Sequence, residues 1–80
     1  MSNNELSLNL LPINQVGKVR YITANSTIRS RLLDLGLISN TTVKALQRSP
    51  AGDPTAYQIR GTVIALRSED AAHIIIDPIN

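Results

Sequence analysis

The sequence predicts a mainly β chain: a small closed or nearly closed barrel of about five to six short strands, with one α-helix inserted near residues 27–35 and a short helical turn near residues 69–73. Three observations carry that expectation. Apolar and polar residues alternate in short runs, the period of two that marks a half-buried strand. Turn-forming residues separate the runs at close intervals: Pro12, Ser39-Asn40, the loop SPAGDPT and Arg60-Gly61. One stretch, Ile28 to Leu35, instead repeats its apolar residues at helical spacing. Closing a short sheet also hides edges that an open one would leave unpaired.

The elements follow in order. Leu6, Leu8 and Leu10 alternate with Ser7 and Asn9, which predicts a first strand, limited by Pro12 to an edge or to an early stop. Residues 16–23 read as a second strand, with Val19 and Tyr21 on one face and Lys18, Arg20 and Ile22 on the other; Gly17 marks a turn or bulge. Asn25, Ser26 and Thr27 are all good N-caps, and the helix runs from there to Leu35. Ile28, Leu32 and Leu35 share its core face, while Leu33 points roughly 100° away, near Arg29. Gly36 suits the left-handed residue that ends a helix. Arg31 and Asp34 are spaced to pair on the surface. Residues 41–48 form a third strand and residues 56–60 a fourth. A tight reversal at Arg60-Gly61-Thr62 leads into a fifth, residues 63–67. Ser68 caps the helical turn, and Glu69 and Asp70 suit its positive end. Residues 74–77 close the sheet, and Pro78 ends them.

Length and composition narrow the function. Eighty residues make one domain, taken as residues 6–80 behind five flexible N-terminal residues. The chain has no cysteine, so disulfides and thiolate metal sites are excluded and a reducing, cytoplasmic setting is expected. No signal sequence or membrane-length apolar run is present, so no direct membrane insertion is expected. The net charge is +2, the basic residues are scattered, and the aromatic residues are Tyr21 and Tyr57. Both rings are expected to pack in the core with their hydroxyls at the rim. Little is left for stacking on bases, and nucleic acid is not the expected partner.

RSRLLDLGLISNTTVKAL, followed by GDPTAYQIRGTVIALRSEDAAHIIID, resembles the FeoA family, the small partner proteins of bacterial ferrous iron transport. The matching pattern is Arg31-Leu32 with Leu35-Gly36-Leu37, then Val43, Gly52-Asp53-Pro54, Gly61, Ile64-Ala65-Leu66-Arg67, Ala71 and Ile74, and the likeness covers residues 6–77. It implies an SH3-like barrel with an inserted helix. It also implies a cytoplasmic accessory or regulatory role through contact with FeoB, a membrane transporter whose cytoplasmic part binds guanine nucleotide. The same module occurs as a terminal domain of metal-dependent repressors, so fold alone does not fix the role. Ser39-Asn40 stands where the family often has Pro-Gly, and Asn40 is the residue that best replaces glycine at positive φ. Ile13 stands where the family often has glycine.

The chain offers little for catalysis or metal binding. His73 is the single histidine, and no spacing pairs it with other ligands or with a nucleophile. Glu69-Asp70 reads as a capping turn, and the loop AGDPT lacks the glycines of a phosphate cradle. No enzyme, cofactor or resident metal is therefore expected. The candidate partner-binding residues are Arg29, Arg31, Leu33, Leu37, Ile38 and Arg60, and Gly36, Asn40 and Gly61 are expected to shape turns. Leu33 is the apolar helix residue that the core stripe does not explain, and with Leu37 and Ile38 it can make an exposed patch. Of Arg29, Arg31, Arg60 and Arg67, Arg60 at a hairpin tip is the most reachable. Its sharpest role is an arginine finger for the transporter GTPase, its plainest a solvated surface charge. Self-association through the helix patch is a further expectation. The alternative reading is a small-barrel nucleic-acid binder, or another regulatory interaction module, with Lys18, Arg20 and Lys44 as a basic face.

Overall fold

The computed structural model describes residues 5–79. They form six antiparallel strands in one sheet and two helices: β1 Leu6–Ser7, β2 Val16–Ile22, α1 Ser26–Asp34, β3 Thr42–Arg48, β4 Thr55–Ile59, β5 Thr62–Leu66, α2 Ser68–Ala71 and β6 Ile74–Ile79. The strand order is β1-β6-β2-β3-β4-β5, so β1 and β5 are the two ends of a strongly curved sheet. The mainly β architecture is thus the expected one, with every predicted boundary but the end of the first strand within two residues of the observed one. Of the five N-terminal residues expected to be flexible, 1–4 lie outside the described ones. Glu5 accepts a hydrogen bond from the Tyr21 hydroxyl and ion-pairs with Arg20.

One apolar core fills the sheet. Its largest fully buried side chains include Tyr57, Leu8, Leu11, Leu32, Ile59 and Ile76. Three local corrections explain how the chain reaches it. First, the predicted Leu6–Leu10 strand stops at Ser7, and Leu8–Leu10 form a 3-10 turn closed by Leu11 N–H on Leu8 O at 3.0 Å. The period then becomes three: Leu8 and Leu11 are buried and Leu10 is exposed. Second, β2 shifts register against β6 between Val19 and Tyr21, so Tyr21 leaves the inner face and is exposed. Gly17 is not that bulge. It lies buried in the strand, where a Cβ would stand 2.7 Å from Ile76 Cδ1. Third, Pro78 does not end β6. It pairs opposite Gly17, in a part of β6 that β1 no longer flanks.

Both ends of α1 are fixed by local chemistry. The Asn25 side chain accepts from Ile28 N–H at 3.0 Å, which settles the cap among the three candidates. At the other end Gly36 has φ +102°. Gly36 N–H reaches Leu33 O at 2.9 Å and Leu37 N–H reaches Leu32 O at 3.2 Å. This pair of bonds is a Schellman motif, which brings the side chains three residues before the cap and two after it together in the core. The turn that follows holds Asn40 at φ 73°, with Thr41 N–H on Ile38 O at 3.1 Å. The backbone position expected to need glycine or asparagine is therefore real. β2 grips this turn: Asn40 N–H donates to Val19 O at 2.7 Å and the Ser39 hydroxyl to Arg20 O at 3.0 Å.

Candidate functional site

The end of α1 and the tip of the β4–β5 hairpin lie at the same rim of the sheet. The link is Gly36: a Cβ there would meet Ile59 Cδ1 at 3.4 Å and Arg60 Cδ at 3.7 Å, so the Arg60 stem crosses the end of the helix. Around this junction Leu33 is 37% exposed, Leu35 42% and Ile38 41%. Three large apolar side chains within six residues reach water in this segment, and Arg29 and Arg60 are exposed too. Neither arginine has an ion-pair partner among the described residues. Arg60 takes φ 49° and Gly61 φ 79°, a two-residue turn that holds the Arg60 side chain at the tip.

The structure sorts the predicted set. Leu33, Ile38, Arg29 and Arg60 are all exposed, and Arg60 lies against the end of α1 at Gly36. Leu37 is not: it is fully buried, because the Schellman motif packs it with Leu32. Leu35 was expected in the core stripe and is instead half-exposed. Rotation by 100° per residue stops applying at Asp34, where the helix ends. The signal that exchanges the two was present, since glycine at the left-handed position marks the apolar residue after it as the buried one. Arg31 does not pair with Asp34. Its guanidinium bonds Asp70 Oδ1 at 3.0 Å and joins α1 to α2.

Other candidate groups are dispersed. The register places Lys18 and Lys44 on the outer face of the sheet, near Arg20, which is shared between Glu5 at 3.6 Å and Asp77 at 3.4 Å. His73 Nδ1 lies 3.5 Å from Thr23 Oγ1, at the junction of β2 and β6. Among the described residues no three His, Cys, Asp or Glu side chains gather where they can hold a metal ion. No helix among them is long and apolar enough to cross a membrane. Asp53, read as a turn residue, has a longer reach. Its Oδ1 accepts from Ser68 N–H at 2.8 Å and caps α2 from a distant loop, and its Oδ2 meets Arg67 at 3.9 Å.

A curved antiparallel sheet of six short strands with a helix inserted between β2 and β3 defines a small SH3-like domain. The FeoA domain family model matches residues 6–78, and the chain belongs to that family. Over 59 residues it is 32% identical to a Porphyromonas gingivalis protein described as a fusion of Fe(2+) transport protein A with the Fe(2+) transporter FeoB; the match covers 74% of this chain and 7% of that protein. Its fold is similar to that of a FeoA-like protein from Clostridium acetobutylicum, with a TM-score of 0.90 and 28% identity over 99% of this chain and 92% of the other. It is also similar to Stenotrophomonas maltophilia FeoA, described as an SH3 domain protein and solved with zinc. There the TM-score is 0.80, with 29% identity over 90% of this chain and 89% of that one. The family has an accessory role in ferrous iron transport.

Proposed function

We propose that this chain serves ferrous iron transport by docking on the cytoplasmic part of a FeoB-type transporter GTPase, and that Leu33, Leu35, Ile38, Arg29 and Arg60 form the docking rim. The observation that carries the partner is the relative in which a matching segment is continuous with the transporter in one chain. Two domains that occur in one polypeptide work at high effective concentration, which serves even a weak contact. The chemistry of the rim supports the surface. Exposed leucines and isoleucine supply apolar area, and two free guanidinium groups favour an acidic border on the partner. Arg60 at the tip is the residue best placed to approach a nucleotide.

Titration of the transporter's cytoplasmic domain with this chain tests the reading. Leu33→Glu is expected to weaken binding at least about tenfold, since it sets a charge into an apolar contact. Arg60→Ala is expected to weaken it about threefold to tenfold, with a reduced salt dependence. A folded wild-type chain that does not bind sinks the partner. Normal binding by a folded Leu33→Glu variant removes the rim from the interface.

A further inference from the structure

We propose that the open edge of β5 is a self-docking surface, on which a second copy of this chain adds its own β5 antiparallel about a two-fold axis at Ile64. β5 is the last strand of the sheet and pairs only with β4 among the described residues. The two-residue Arg60-Gly61 turn makes Ile59 and Thr62 a hydrogen-bonded pair. By alternation Tyr57–Ile64 and Thr55–Leu66 are bonded too. The N–H and C=O groups of Val63 and Ala65 therefore point away from β4. Sheet edges of this kind are normally blunted by a charge, a proline or a bulge. Thr62–Leu66 has none of the three, its register with β4 is uninterrupted, and Val63 is 58% exposed.

Self-complementarity identifies the occupant. Pairing about Ile64 sets Val63 opposite Ala65 of the second copy, and Ala65 opposite its Val63. Each pair exchanges two hydrogen bonds, about four in all, and no outward group is left over. On the outer face each Val63 then covers an Ala65, which lines a shallow apolar groove with Ala56, Pro50 and Pro54. Charge agrees. Arg60 at one end of the strand and Glu69 beyond the other have no ion-pair partner among the described residues, and an antiparallel pair brings the Arg60 end of each copy beside the Glu69 end of the other. One five-residue strand pair buries less than the roughly 1,000 Å² of a stable interface, so the association is weak and reversible.

Sedimentation velocity and amide hydrogen exchange on the full chain, from about 10 μM to about 1 mM, span the affinity such an interface allows. A rise in sedimentation coefficient is expected, with exchange at Val63 and Ala65 slowed at least about fivefold at the upper concentration. Val63→Pro deletes an outward donor that the β4 ladder does not use, and is expected to leave a folded monomer. Val63→Lys serves the same purpose if the proline variant does not fold. A wild type that is monomeric throughout overturns the proposal, as does undiminished association in the folded variants. Self-association that perturbs Leu33 and Ile38 instead assigns it to the α1 rim and overturns it too. Protection of Val63 and Ala65 only when the transporter's cytoplasmic domain is added would show that a foreign strand, and not a second copy, occupies the edge.

Discussion

Tyr57 is one of two aromatic residues in the chain and the one that the core encloses. Burial raises its phenol above the ordinary value of 10, since the phenolate would lose its water. The sign of the linkage follows. Below pH ~10 the phenol is neutral in both folded and unfolded chains, and folding is insensitive to it. Above that, the unfolded chain ionises first, so stability falls as pH rises toward the raised folded value. Denaturant titrations at pH 8 to 11 are expected to show the wild type losing stability above about pH 10, and Tyr57→Phe losing it less steeply. Equal slopes would mean that the phenol titrates alike in both states. Tyr21 is also raised, chiefly by the Glu5 carboxylate, but at an exposed site. The two rings show what a residue type leaves open. Both were expected inside, and the bulge in β2 put one of them out.

Elements are legible where their own residues set them. The α1 cap, the Gly36 stop, the Asn40 turn and the Arg60-Gly61 reversal rest on neighbours within a few positions, and all four stand where the sequence places them. Elements fixed by distant residues were not legible. The register shift in β2 depends on β6, more than fifty residues away in sequence. Arg31 chose Asp70 over the nearby Asp34, a pairing that requires α2 to be packed first. The α2 cap shows the same limit. Ser68 was expected to cap its own turn, but it is the first helical residue, and the carboxylate of Asp53 accepts its N–H from the loop before β4. Asp53→Ala is expected to cost about 1 kcal/mol of stability, the usual loss for a helix cap. Thermal unfolding checks it, and an unchanged midpoint would mean that water replaces the carboxylate at no cost. Of the candidate rim, Leu33 was legible as an outlier from the stripe. Leu35 was legible only through Gly36, whose left-handed turn ends the helix and buries Leu37 instead.

The strand order sets how stability is distributed over the whole molecule. β6, β2 and β3 each have neighbours on both sides, whereas β1 is two residues long and β5 has one neighbour. Amide exchange at low protein concentration is expected to be slowest at Val19, Val43 and Ile76, and faster across Thr62–Leu66, because inner strands open only with the whole sheet. Uniform protection across all six strands would mean that the edges do not open locally. The same order fixes the two ends of the described chain. Leu6 lies opposite Ile76, so β1 traced back toward Glu5 runs beside β6 traced forward to Ile79, and both ends leave near the start of β2. Glu5 and Asp77 both reach Arg20, and the Tyr21 hydroxyl reaches Glu5, so a single guanidinium cross-braces β1, β2 and β6 on the outer face of the sheet.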